Sequence, residues 1–248
     1  MPPQKILIFS ATNGYRHDSI PAGIAAVKEL SATQSPTIEI TTTESVEDLA
    51  TALSSSTPKL DAVIFLSTIG EVLTPSARSS LRTYVESGGA FVGVHSASAT
   101  EYTWPWYGEE LLGGVWFREH PDLQEGNIAL TEAGTGHPCF SEFYGPLEKS
   151  GDGTHRWKVK DEWYDWKGEL KAQESTKVLA MSDKGSYQPW EWADGDKDHP
   201  LVWCRKVGEG KMWYTSLGHT EEIYGDERFK SHLLGGLFWA LGRKEWSW

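Results

Sequence analysis

Residues 90–106 read AFVGVHSASATEYTWPW. The β-favouring run Phe91, Val92 and Val94 stops abruptly at His95 and is followed by small residues, which predicts a strand ending in a tight elbow. In an open α/β sheet, ligands bind in the crevice beyond the carboxyl ends of the strands, so a histidine at such an end is placed for chemistry. A polar and aromatic group follows at once: Glu101, Tyr102, Trp104, Trp106 and Tyr107.

Working back towards the N-terminus, strand and helix signals alternate. Residues 5–10 read as a strand and 19–30 as a helix, with Asp18 or Ser19 as its cap and Pro21 tolerable in the first turn. Residues 37–43 form a second, β-branched strand, and Ser45 with Asp48 resembles a capping box opening a short helix. The apolar run 62–66 fits a parallel strand buried on both faces, and Thr74-Pro75 opens a helix that stops near Gly88-Gly89. This order implies right-handed crossovers and a parallel sheet with helices on both faces.

Beyond the elbow the pattern is less regular. Residues 128–130, 162–164, 177–181, 201–207 and 211–217 are predicted strands, and Gly208-Glu209-Gly210 reads as a hairpin turn, which makes the last pair antiparallel. A closing helix is expected over 229–241. The long connections between Gly113 and Gly153 suit a binding site.

A chain of 248 residues with 39% apolar content suits one α/β domain, 1–248. Its net charge of −12 and the lack of a basic stripe argue against nucleic acid as a partner, leaving small molecules, with a homo-oligomer left open. The opening MPPQKILIFS has no basic region or long apolar core of a signal peptide, and no stretch approaches the roughly 20 apolar residues of a membrane helix. Cys139 and Cys204 are too few for a disulfide framework, so a cytoplasmic setting is expected.

Histidine is the side chain most able to exchange protons near neutral pH, and three of the eight, His17, His95 and His219, follow predicted strands. They are expected to converge at the carboxyl edge with Glu162 and at least one of Trp104 and Trp106. Glu162, flanked by Trp163 and Tyr164, is a candidate acid or base, and Glu101 is a candidate for orienting the His95 ring. Three histidines and a carboxylate are also a set that holds zinc or another divalent metal, although no compact HExxH spacing occurs and the ligands have to converge from distant segments. His120, His137 and His199 each precede proline, as in a pinned turn, and His155 lies in an irregular region; His232 reads as a helix-core residue. Among the 13 tryptophans, Trp104, Trp106, Trp116, Trp163 and Trp190 are candidates for packing on sugar rings, whereas Trp203, Trp213 and Trp239 read as core. No GxGxxG turn, Walker sequence or G-x-S-x-G elbow is found, so no nucleotide cofactor is expected.

Taken in order, SATNGYRHDSIPAGI (10–24), FVGVHSASATEYTWPWYGEELLGG (91–114), FREHP (117–121), DEWYDW (161–166), DHPLVWC (198–204), WYTSLGHTEEIY (213–224) and HLLGGLFWA (232–240) resemble the trehalose-utilisation (ThuA-like) proteins from one end to the other. The resemblance implies a three-layer α/β fold, flavodoxin-like or amidotransferase-like, with a mostly parallel sheet and an antiparallel hairpin near the C-terminus. Where the amidotransferase elbow carries a nucleophilic cysteine, this chain has His95, so thiol chemistry is not expected. It implies a small-molecule carbohydrate as ligand: trehalose or a related disaccharide, or its 3-keto form, processed by His/Glu chemistry. The alternatives are a sugar-binding or regulatory protein and a metal-dependent hydrolase. The expected catalytic residues are His17, His95, Glu101, Glu162 and His219. The expected substrate contacts are Tyr102, Trp104, Trp106, His120, Tyr164, His199 and Thr220.

Overall fold

The computed structural model describes residues 3–55, 59–141, 147–171, 173–189, 199–244 and 246. Its first half follows the alternation of the sequence: β1 (Gln4–Phe9), α1 (Ile20–Ala32), β2 (Ile38–Thr43), α2 (Val46–Ser54), β3 (Ala62–Leu66), α3 (Pro75–Glu86) and β4 (Ala90–Val94). Ser45 and Thr74 each cap the helix that follows, accepting from the backbone N–H groups of Asp48 and Ala77. Such caps contribute about 1 kcal/mol each. Ser19 does not cap α1; its hydroxyl donates instead to the carbonyl of Gly218, 3.1 Å away, tying the helix start to a loop 199 residues downstream.

The second half contributes β5 (Val115–Glu119), β6 (Gln124–Leu130), α4 (Glu132–Gly136), α5 (Pro138–Ser141), β7 (Glu148–Lys149), β8 (His155–Asp161), β9 (Asp165–Gly168), β10 (Thr176–Asp183), β11 (Pro200–Val207), β12 (Gly210–Thr215) and α6 (Glu227–Ala240). The main sheet has ten strands in the order β2-β1-β3-β4-β12-β11-β10-β6-β8-β7, and β5 pairs with β9 in a small second sheet. From β2 to β12 every pairing is parallel. The hairpin β11/β12, joined at Gly208-Glu209, starts an antiparallel wing that continues through β10, β6, β8 and β7 and is larger than the single expected hairpin.

Alternation along the parallel strands builds two cores. Ile6, Ile8, Ile64, Val92 and Val94 face α1 and α6, whereas Leu7, Phe9, Val63, Phe65 and Phe91 face α2 and α3. Both faces of the sheet are therefore covered, as a parallel sheet requires. Residues 162–164, expected as a strand, are an irregular link between β8 and β9. The ladder stops there because Asp161 accepts the N–H of Glu162 on its own carboxylate, which leaves that donor no strand partner. Among the described residues no helix is long and apolar enough to cross a membrane.

Candidate active site

Parallel register sets the geometry of the site. β3, β4 and β12 run side by side with Val94 opposite both Leu66 and Thr215, so the residues that follow emerge together at one edge. His95 is the first residue after β4 and has φ of +55°, the left-handed backbone that non-glycine residues rarely adopt. Such a conformation costs on the order of 1–3 kcal/mol and persists only where its surroundings hold it. Here the Tyr214 hydroxyl donates to the His95 carbonyl at 2.7 Å and contacts Ser98 Oγ at 2.8 Å, pinning the elbow to β12.

Three imidazoles and one carboxylate meet at this edge. His17 arrives from the loop after β1, His95 from the elbow, His219 from the loop after β12, and Glu162 from the link after β8. One ligand atom from each of the four lies within 4.8 Å of all the others. His95 Nε2 is 2.9 Å from His17 Nε2 and 3.5 Å from Glu162 Oε2; His219 Nδ1 is 3.0 Å from Glu162 Oε1. His120 is the fourth imidazole of the group, with Nε2 3.2 Å from Glu162 Oε1.

Outer contacts decide which nitrogens carry protons. His95 Nδ1 lies 2.7 Å from the carbonyl of Ser216, which only a donor can satisfy, so in the neutral ring Nε2 bears the lone pair. His120 Nδ1 is likewise held by the Pro121 carbonyl at 2.9 Å, leaving Nε2 to face Glu162. Burial, reinforced by the neighbouring imidazoles, lowers the pKa of His95 far below the ordinary value and that of His17 to about 4. The Glu162 carboxylate beside it raises the pKa of His219. Tyr164 is buried, and its hydroxyl sits 3.0–3.1 Å from both nitrogens of the His95 ring.

Asp161 organises the loop that carries His219. Its carboxylate accepts from the backbone N–H groups of Gly218 at 2.8 Å, His219 at 3.2 Å and Glu162 at 2.8 Å. Burial pushes its pKa up to about 7, although the three donors favour the anion. Gly218 has φ of +127°, and a Cβ there would lie 2.6 Å from the Tyr224 hydroxyl, so this turn requires glycine.

The aromatic surroundings differ from expectation. Tyr164, Phe117 and His120 form a wall beside Glu162, with ring centroids 4.5 Å apart for Phe117 and Tyr164 and 6.0 Å for His120 and Tyr164. Tyr15, 61% exposed, packs edge-on against His17. A small recess lined by His120, Trp163, Asp165, Tyr187 and His199 adjoins the cluster. Its Trp163 ring stacks on Tyr187 at 4.6 Å.

Several expected residues lie elsewhere. Glu101 does not orient His95: its buried carboxylate accepts from the N–H groups of Val72 and Leu73 and from Arg78. Trp104 and Trp106 stack on each other against α3, the first over Arg78 and the second donating to Glu86, and so do not wall the cluster. The 3₁₀ turn after His95 leads the chain away from the edge, and its continuation packs on the α3 side. Tyr102 reaches only the periphery, donating to the Phe117 carbonyl, and the Thr220 hydroxyl accepts from the N–H of Ile223 in its own turn. Tyr164, expected as a sugar contact, is turned inward onto His95. Trp116 packs over Gly108, and Trp190 lies outside the described residues. Asp161 and Tyr15 were both legible in the motifs DEWYDW and SATNGYRHDS, yet neither was singled out; an acidic pair at a strand end and a tyrosine two residues before a strand-end histidine were the available signals.

Comparison with known proteins agrees with this architecture. A thua-like protein from Bacteroides uniformis ATCC 8492 superposes with a TM-score of 0.74 at 20% identity, covering 96% of this chain and 91% of its own. A second thua-like protein, from Parabacteroides merdae ATCC 43184, gives 0.69 at 18%, covering 99% and 92%. A β-galactosidase from Bacillus circulans sp. alkalophilus gives 0.51 at 14%, covering 97% of this chain and 31% of that one. At such identities the likeness is one of fold. Comparison with curated proteins gave no match. The family model for trehalose utilisation matches residues 5–240, and the chain therefore belongs to the ThuA (trehalose utilisation) family.

Proposed function

We propose that the chain is an enzyme of disaccharide metabolism, acting on trehalose or a related sugar in its 3-keto form, with its catalytic centre at His17, His95, Glu162 and His219. The observation that carries this reading is the convergence of these four groups, with His120, beside an aromatic wall at the carboxyl edge of the sheet. A ketone beside a C–H bond acidifies that proton. Once the proton is taken, the glycosidic oxygen two atoms from the carbonyl leaves with the bonding electron pair and then needs a proton of its own. A site for this chemistry needs a proton carrier and an electrophilic floor for the enolate oxygen.

Glu162 and His120 supply the first. Their side chains are 3.2 Å apart and His120 is one-third exposed, so a proton can pass between substrate, imidazole and carboxylate. His219 supplies the second: its ring is partly exposed, and the Glu162 carboxylate that raises its pKa favours the protonated imidazole, whose N–H can donate to an enolate oxygen. Exposed Tyr15 and the Phe117 ring offer flat apolar faces of the kind sugar rings pack against. A reducing, cytoplasmic setting suits the two buried, free cysteines.

The test is an NMR screen of the purified protein with trehalose, other glucose disaccharides and their 3-keto forms. The expected result is consumption of a keto-disaccharide with release of a free monosaccharide. Tight binding of a sugar without turnover of any would show a binding module instead.

A further inference from the structure

Acid–base chemistry alone leaves one feature of the cluster unexplained. Three imidazole nitrogens and a carboxylate, from four separate segments, are packed together within 4.8 Å of one another. The proton of His95 is committed to Ser216, so its Nε2 presents a lone pair to His17 Nε2 at 2.9 Å and to Glu162 Oε2 at 3.5 Å. His219 Nδ1 is buried 3.0 Å from Glu162 Oε1 yet is not aligned to hydrogen-bond to it. Three ring nitrogens and a carboxylate point into one small space, where His17 and the Tyr164 hydroxyl are the neighbours of the His95 lone pair.

These spacings are those of ligands around one ion. A tetrahedral ion with bonds of about 2.1 Å holds its ligand atoms about 3.4 Å apart. With Oε2 of Glu162 as the ligand oxygen, the 2.9 Å and 3.5 Å contacts of His95 Nε2 to His17 and to Glu162 bracket that value, and one ligand atom from each of the four residues lies within 4.8 Å of the others. The surroundings fit as well. A metal-bound imidazole typically donates its other N–H to a carbonyl, which fixes tautomer and ring orientation, and His95 does so to Ser216. The strained elbow at His95 and the Asp161 clamp on the His219 backbone hold two of the four in place before any ion arrives.

We infer that His17, His95, His219 and one carboxylate oxygen of Glu162 bind a single divalent transition-metal ion of the zinc class. Imidazole nitrogens with one carboxylate select zinc and its first-row neighbours over calcium or magnesium, which prefer all-oxygen shells. The inference rests on the reading of this cluster as the functional centre and specifies its electrophile: the ion, not an imidazole, polarises the sugar carbonyl. The second oxygen of Glu162 then still faces His120, which remains the proton carrier at the rim.

The experiment is elemental analysis of the purified protein, followed by chelation and calorimetric titration with Zn²⁺ and Co²⁺. One ion per chain is expected, with the visible Co²⁺ bands of a four- or five-coordinate nitrogen-rich site. His219→Ala and Glu162→Ala, checked for native circular dichroism, should each weaken binding by more than the roughly 10- to 100-fold that loss of an outer hydrogen-bond partner costs. His155→Ala, outside the cluster, should bind as the parent does. Failure of both ions to bind stoichiometrically, or unchanged affinity in the folded His219→Ala and Glu162→Ala variants, overturns the metal site. Sugar turnover that persists in chelated protein overturns it too, while leaving the proposed function standing; stoichiometric metal with no sugar processed does the reverse.

Discussion

Glu101 offers a sharp test of position against sequence proximity, because it lies six residues from His95 and yet belongs to another network. Its carboxylate is fully buried and accepts from the N–H groups of Val72 and Leu73 at 2.8 Å each and from Arg78 Nε at 2.5 Å. Replacing it by alanine leaves two backbone donors without an acceptor, at about 1–3 kcal/mol apiece. Arg78 keeps Glu71 and Thr103 as partners, so its loss adds only about 1 kcal/mol. The backbone at residue 101 has φ of +58°, which alanine tolerates no better than glutamate, so no strain is relieved. The expected destabilisation is about 5 kcal/mol, and with about 2–4 °C of melting temperature per kcal/mol for a chain of this size Glu101→Ala should melt about 10–20 °C lower. Thermal unfolding followed by circular dichroism measures this, beside the specific activity at a temperature where the variant is folded. A melting temperature within about 2 °C of the parent together with lost activity would refute the structural role and restore Glu101 to the catalytic set.

Further outcomes follow from the same geometry. His95→Ala should lower turnover about 100-fold or more while the protein still folds; a large fall in melting temperature with unchanged specific activity would make the elbow structural. Gly218→Ala puts a Cβ 2.6 Å from the Tyr224 hydroxyl at a left-handed φ and should destabilise by about 1–3 kcal/mol, read as a lower urea midpoint; an unchanged midpoint contradicts the turn described here. His137 and His232 are buried with pKa values lowered to about 3 by desolvation. The unfolded chain therefore takes up their protons below pH 6.5 while the native state stays neutral, and stability is lost as pH falls from about 6.5 towards 3. At about 1.4 kcal/mol per pH unit per residue, these two histidines together should make metal-free protein roughly 4 kcal/mol less stable at pH 5 than at pH 7, and equal urea midpoints at both would contradict this.

The parallel half of the fold and three of the four cluster residues could be read from the chain because each histidine lies in the connection that follows a strand with an unmistakable pattern. β1, β4 and β12 are apolar runs with clear stops, and parallel neighbours deliver their next residues to one edge. Glu162 was legible for a different reason, as a carboxylate among aromatics. Trp104 and Trp106 misled because an aromatic run beside a strand-end histidine says nothing about direction, and the turn beginning at His95 sends that run down the α3 side. Residues 162–164 misled because β-favouring aromatics are also what fills a buried link, once an aspartate has taken the backbone donor that a strand would use. Tyr164 and Asp161 act through contacts 50 to 70 residues away in the chain, which no local pattern encodes.

The most direct test of the account is the pair of constants, turnover number and sugar dissociation constant, measured on Glu162→Gln against the parent with the same keto-disaccharide. The substitution keeps the shape of the side chain but removes its charge and its ability to exchange protons. Turnover should collapse by about 100-fold or more while the dissociation constant changes little, since in the proposed complex the sugar rings pack on Phe117 and Tyr15 rather than on Glu162. Weakened binding by roughly 1–3 kcal/mol with no turnover in the parent itself would contradict the catalytic assignment, and would leave Glu162 as a hydrogen-bond acceptor in a binding protein.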